Sequence, residues 1–276
     1  MNMEIELEKI KTLGKPVDYE PHVFRNYPID YLYPYVNMQT LIGYHMGLGS
    51  KLADRLREGD EKAVMLQELI DGLYAEAKRD GIIQANGMFR FFPAQSSGDE
   101  VLVYDPAEEG KVLQRFSFPR QQEAPHRCIA DYIRPVGSGE MDSIGFCIVT
   151  AGIGVRELAE EWKEKGDYLR CHALQAIAIE TAEAFMERIH HMMRDFCGYP
   201  DAMEMTMQDR FAAKYKGQRF SFGYPACPNL DGQQQLYALL QPADIGIEIT
   251  EGCMLDPEAS VAAFVVSHPD ARYFAI

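Results

Sequence analysis

From Tyr168 to Phe196 the chain places Leu174, Ile177, Thr181, Phe185, Ile189, Met192 and Phe196 at steps of three and four residues. That spacing predicts a helix of roughly eight turns with one largely apolar stripe. Gly198-Tyr199-Pro200 mark its end. A helix of that length needs other elements to cover its stripe, and the flanking sequence supplies them. Val155–Phe196 reads as two helical segments broken near Gly166. Glu61–Ala77 repeats Met65, Leu66, Leu69, Leu73 and Ala77 at helical spacing, and Lys78, Arg79 and Asp80-Gly81 close it. Met38–Leu48 (MQTLIGYHMGL) is apolar on most sides and reads as a buried helix loosened at Gly43.

Strands fill the centre. Gly87–Pro93 and Glu100–Tyr104 flank Ser96-Ser97-Gly98-Asp99 and read as a hairpin. Val112–Phe118 and Asp142–Thr150 are further strands. A short helix over Gln233–Leu240 and strands over Ile245–Thr250 and Val261–His268 complete the chain. Asn2–Thr12 reads as a short strand or first turn, and Tyr27–Tyr35 as irregular. Strands and helices are segregated rather than alternating, so an α+β fold is expected. No linker divides the 276 residues, which are read as one domain with residues 1–30 as an N-terminal extension.

The net charge of −15 disfavours binding to a phosphate backbone, which depends on clustered Lys and Arg. No apolar run approaches the length that spans a bilayer, and MNMEIELEKIKTLGKP lacks the pattern of a signal peptide. The cysteines, at 128, 147, 171, 197, 227 and 253, are scattered without a C-x-x-C pair, so reduced, buried thiols in a cytoplasmic protein are expected.

No dinucleotide fingerprint, phosphate loop, zinc-protease helix or nucleophile elbow is present. His190-His191 occupy adjacent helical positions that point about 100° apart, which suits a solvent-side or partly buried pair rather than a shared metal. The methionines at 192, 193, 203, 205 and 207 read as packing residues. What remains is polar groups in apolar settings. Glu183 lies among alanines in AEAFMERIH, small neighbours that let another molecule approach the helix. Arg219 opens RFSFGYPACP, where two prolines and Gly223 make a stiff turn. Two readings of that turn stand: a lid on the core with Arg219 in a structural ion pair, or a preorganised clamp with Arg219 holding a carboxylate.

The surroundings add to this. RFSFGYPACP resembles the RxxxGYPACP motif of the activation domain of cobalamin-dependent methionine synthase. FPAQSSGDEVLVY (92–104), RQQ (120–122), CIADYIRP (128–135), AEAFMERIH, ASV (259–261) and SHPDARYF (267–274) resemble that family's other motifs, in order, from about Tyr33 onward. The resemblance implies a curved antiparallel sheet with long helices and a site for S-adenosylmethionine. It also implies docking on the corrinoid-binding module of methionine synthase, cobalamin carried by that partner, and a flavodoxin- or ferredoxin-type electron donor. It assigns Arg219 to the ligand's carboxylate and Glu183 to the site lining. Backbone around Ser221 and Gly223 would meet the adenosine, Tyr224 would face ligand and corrinoid, and Tyr273 with Phe274 would close the pocket.

The sequence departs from the family at three places. Asn37 stands where the family has a ligand-contacting aspartate, Phe274 replaces the second tyrosine of a pair, and the chain stops at Ile276 without corrinoid, folate or homocysteine modules. The expectation is a stand-alone reactivation protein acting in trans, with the chemistry at cobalt and no nucleophile or general base of its own. Asn37 and Phe274 leave two alternatives: a docking protein that has lost the ligand, and an activator of another corrinoid methyltransferase.

Overall fold

A computed structural model describes residues 12–276. The described elements begin with β1 (His22–Phe24), three-residue 3-10 turns at Ile29–Tyr31 and Tyr33–Tyr35, and a π-helical segment over Gln39–His45. Helices α1 (Leu52–Arg57) and α2 (Glu61–Asp80) follow, then β2 (Asn86–Ser97), β3 (Glu100–Tyr104), β4 (Val112–Ser117) and β5 (Asp142–Thr150). Next come α3 (Val155–Glu164), the long α4 (Tyr168–Phe196), α5 (Met207–Phe211), β6 (Gln218–Phe220) and α6 (Asp231–Leu240). The small pair β7 (Glu248–Ile249) and β8 (Leu255–Asp256) precedes β9 (Ser260–Val266).

The fold is α+β, as the segregated elements predict. One sheet runs β4-β3-β2-β5-β9-β6, antiparallel throughout, and β1 pairs with the start of β2. Strand β2 is twelve residues long because it serves two partners on one edge: its first residues take β1 and its last take β3. The hairpin is the expected one, with Ser97 opposite Glu100 across Gly98-Asp99.

Two cores cover the two faces of this sheet. Phe89, Phe91, Cys147, Val149, Ala263 and Val265 point to the face packed by α2 and α4. Their neighbours Met88, Phe92, Phe146, Ile148, Phe264 and Val266 point to the other, closed by α6 and the 220–230 turn. Every residue of β5 is buried, and its middle, Ile144–Val149, reads as a run without charged or hydroxyl side chains. Gly145 permits close contact with α4: a Cβ there would meet Phe91 Cε1 at 2.7 Å and also Met193.

Helix α4 is buried on more sides than one stripe suggests. Five buried alanines (173, 176, 178, 182, 184) let neighbours approach its backbone, and Glu180, Glu187, His190 and Arg194 are buried as well. At its start Arg170 lies 4.2 Å over the ring of Trp162 on α3. Four expectations need correction. Met65 is 45% exposed, because the buried stripe of α2 runs through Leu66, Ile70, Leu73 and Tyr74 instead. The 38–48 helix is π-helical, with Leu41, Ile42 and Gly43 inward and Tyr44 outward. The 245–250 strand shrinks to two paired residues, because a 3-10 turn takes Pro242–Ile245. His190 is wholly buried and so is not on the solvent side. Of the 2–12 segment, all but Thr12 lies outside the described residues.

Candidate functional site: a charged cleft between the long helix and the sheet edge

Pairing register aims Arg219. In β6, Arg219 sits opposite Val265 and Phe220 opposite Phe264. Val265 belongs to the α4 face and Phe264 to the far face, so alternation sends the guanidinium toward α4 and the phenyl ring into the second core. The chain then turns: Gly223 takes φ of 84°, its N–H bonds Cys227 O at 2.9 Å, and Cys227 N–H bonds Tyr224 O at 2.9 Å. Two prolines and these bonds make the turn rigid.

Between this edge and α4 lies a cleft of about 390 Å³. Asn37, Glu183, Arg219, Ser221, Tyr224 and Tyr273 all line it. Gly223 lies in the turn, where an added Cβ would meet Leu230 Cδ2 at 2.7 Å, and does not line the cleft. Phe274 is buried against Phe220, ring centroids 6.2 Å apart, whereas its neighbour Tyr273 is 46% exposed and stacks on Phe220 at 6.0 Å. Tyr224 is 55% exposed at the rim. The carbonyl oxygen of the Asn37 side chain accepts from Thr40 N–H at 3.2 Å, holding the entry to the π-helical turn.

Charge is distributed unevenly over the walls. Glu180, Glu183 and Glu187 follow one another at steps of three and four on one face of α4, an arrangement that like charges disfavour unless cations meet it. Glu180 has a partner: His45 Nε2 lies 3.0 Å from Oε1. Burial pushes the Glu180 carboxyl up, and His45 opposes that shift. Glu187 Oε2 lies 3.7 Å from Arg219 Nη2, and Oε1 lies 3.9 Å from Arg194 Nη2. Burial raises the Glu187 carboxyl above its ordinary range despite both arginines. Glu183, between them, has no ion-pair or hydrogen-bond partner among the described residues. Arg219 keeps its charge: burial acts against it, but Glu187 and its neighbours outweigh the loss. Its Nη1 is buried without a hydrogen-bond partner.

Behind Arg219 a buried clasp closes the end of α4. Arg194 donates to Asp201 through Nε at 2.6 Å and Nη2 at 2.8 Å, and Arg210 Nε reaches the same carboxylate at 3.0 Å. Burial acts to raise Asp201, but the arginines prevail and hold it below the usual carboxylate range. Arg194 lies 4.1 Å over the Tyr215 ring, and His190 meets that ring edge-on at 4.9 Å. Burial depresses His190 well below 6.5, so it is neutral, and neither ring nitrogen has a partner. No group of three or more metal-ligating side chains occurs among the described residues, and none of their helices is long and apolar enough to cross a membrane.

Sequence reasoning missed Tyr35, Glu180, Glu187, Arg210, Phe211, Tyr215 and Gln218 in the lining. One signal was available. Three glutamates on one face of an alanine-rich helix mark a surface that must meet cations.

Comparison with known proteins follows the geometry. Residues 9–276 match the family described as vitamin B12 dependent methionine synthase, activation domain. The methionine synthase of Mycobacterium tuberculosis (strain ATCC 25618 / H37Rv) is 37% identical over 210 residues, 71% of this chain and 17% of that protein. That of Mycobacterium leprae (strain TN) is 34% identical over 198 residues, 68% of this chain and 16% of that protein. The chain therefore spans about one sixth of the length of these relatives. The crystal structure of the MetH reactivation domain bound to AdoHcy superposes with a TM-score of 0.89 at 26% identity, covering 96% of this chain and 83% of that one. A match over nearly every residue, with the fold to go with it, places this chain in the family of vitamin B12-dependent methionine synthase activation domains.

Proposed function

We propose that the cleft binds S-adenosylmethionine and that the chain serves the reductive remethylation of a corrinoid carried by a methionine synthase module on another chain. One observation carries the reading. Arg219 has a buried Nη1 without a partner on one wall, and Glu183 has an unpaired carboxylate on the other. A ligand that ends in an amino acid brings one charge for each. A buried donor left unpaired costs about 1–3 kcal/mol, more if charged, and a carboxylate on Arg219 removes that cost. The AdoHcy in the related structure is the same type of molecule without its methyl group.

When bound, the ligand supplies a methyl group on a positively charged sulfur to a corrinoid reduced by an electron from a flavodoxin- or ferredoxin-type donor. The residues of this chain bind and orient. Arg219 fixes the carboxylate, and Glu183 offers the negative side toward ammonium and sulfonium. Backbone around Ser221 meets the adenosine, and Gly223 serves by holding the turn rather than by touching the ligand. Tyr224 and Tyr273 form the exposed rim over which the corrinoid module approaches, and Phe274 backs that rim from the core. Chemistry at cobalt then gains from positioning rather than from a base in this chain. The six free cysteines are all buried, which suits the reducing cytoplasm proposed for it.

Titration calorimetry with S-adenosylmethionine tests the assignment. The unmodified chain is expected to bind, and Arg219→Ala to weaken binding about thirtyfold or more, from the loss of about 2–5 kcal/mol for a buried charged partner. No heat from the unmodified chain at high ligand concentration overturns the reading.

A docking protein without ligand is the second reading, and Asn37 favours it. Its carbonyl oxygen is taken by Thr40, which leaves the NH2 group for the cleft, a poor partner for an ammonium. In that case a corrinoid protein would still co-purify with a chain that shows no calorimetric binding.

A further inference from the structure

The cleft has a direction. Gly145, the partner of Val265 on β9, meets Met193, whereas Val149, the partner of Val261, packs with Phe185 and Ile189 around Gly87. Descending β9 from Val265 to Val261 therefore runs alongside α4 from its C-terminal end backward. Arg219, opposite Val265, stands level with Glu187, 3.7 Å away, and Ser221 follows it toward Val261. The clasp of Arg194, Asp201 and Arg210 shuts the other end. A ligand with its carboxylate on Arg219 therefore extends toward Val261, past Glu183 and then Glu180, which lie about 6 Å and about 10 Å along α4 from Glu187. An amino acid carries its ammonium on the carbon next to its carboxylate, within reach of Glu183. What lies beyond, at the level of Glu180, is the ribose with its two neighbouring hydroxyl groups.

Glu180 is placed to receive them. Its side chain is 7% exposed, and Oε1 accepts from His45 Nε2 at 3.0 Å. The His45 carbonyl in turn accepts from His172 Nε2 at 2.8 Å, so the turn that bears His45 is tied to α4 twice. Oε2 has no hydrogen-bond partner among the described residues, although Glu180 lines the cleft. Tyr35, also in the lining, has its hydroxyl on His191 at 2.8 Å and is not free in the same way. Resting on the binding reading above, we propose that Glu180 reads the ribose: Oε2 accepts from a ribose hydroxyl of bound S-adenosylmethionine while His45 holds the carboxyl group in place. Acidic side chains meet ribose hydroxyls in this way in dinucleotide-binding folds, and a hydrogen bond to an ionised acceptor is among the stronger ones. A free amino acid reaches Arg219 and Glu183 but stops short of Glu180. This contact is therefore one that only the nucleoside part of the ligand makes.

Calorimetric titration with S-adenosylmethionine, and with the analogue whose ribose lacks both hydroxyls, tests this. The unmodified chain is expected to bind S-adenosylmethionine about tenfold more tightly than the analogue. That comparison needs no variant. Glu180→Ala is expected to erase the preference, leaving the two ligands within about twofold of each other. The preference compares two ligands on one protein, so a partly unfolded variant cannot imitate its loss. Equal affinity of the unmodified chain for both ligands overturns the inference alone, as does an undiminished preference in Glu180→Ala. Absence of S-adenosylmethionine binding to the unmodified chain overturns the binding reading and this inference with it.

Discussion

At the scale of single residues, burial of polar groups separates the parts of this protein that hold it together from the parts that wait for something. His190 is enclosed, neutral and without partners, edge-on to Tyr215. Its folded-state value is depressed below 6.5. The unfolded chain therefore binds a proton that the folded chain refuses, and stability falls as pH drops through that value. The expected slope is about 1.4 kcal/mol per pH unit below it. Urea unfolding between pH 7.5 and 5.5 checks this, with His190→Leu as the comparison. Glu180 and Glu187 are shifted upward and contribute with the opposite sign, so the difference between the two proteins is the readout. Equal slopes for both would refute the assignment. Little of this was legible in the sequence. Glu187 looks like an ordinary helical glutamate until Arg219, thirty-two positions later, is folded onto it. Tyr273 and Phe274 are adjacent in an extended tail, where alternation sends one out and one in without saying which.

At the scale of elements, legibility tracked periodicity. Strand β5 shows as a buried apolar run and α4 as eight turns of regular spacing, because packing on them is continuous along their length. The helix over Met38–Leu48 is legible but not its π-helical form, and the strand over Ile245–Thr250 reads too long for β7, since so short a stretch carries no period of its own. The register of β6 against β9, which aims Arg219, is set by partners far away in the chain. The clasp at the end of α4 is likewise tertiary: Arg194 is wholly enclosed, and the Asp201 side chain is 3% exposed. Asp201→Asn strips the buried Arg194 and the half-buried Arg210 of their counter-charge and is expected to cost about 3 kcal/mol in urea unfolding. Asp201 is held below 3.8, so its contribution is complete at any pH above that value and is lost only at lower pH. A change below about 0.5 kcal/mol at pH 7 would show that the clasp contributes nothing net.

For the whole molecule, the sheet keeps two separate cores, and the cleft opens at the edge where the helical core meets the stiff turn. Under the function proposed above, ligand capture and corrinoid approach use different surfaces of the same opening. Tyr224 lies at the rim, while Arg219 lies inside. Tyr224→Ala is expected to leave S-adenosylmethionine affinity within about threefold. The same change is expected to slow the return of methylcobalamin about tenfold or more, since small misplacements are costly to transfer. Absorbance of a reconstituted mixture with a corrinoid module follows that step. An equal loss in both measurements would place Tyr224 inside the ligand site instead. The single tryptophan sits beneath Arg170, ten residues before Glu180, the first residue of α4 to line the cleft, a separation of about 15 Å at the rise of an α-helix. Trp162 emission therefore reports on the parting of α3 from α4 rather than on direct contact with what fills the cleft. The protein carries its own fluorescent gauge of unfolding at the helix pair that backs the site.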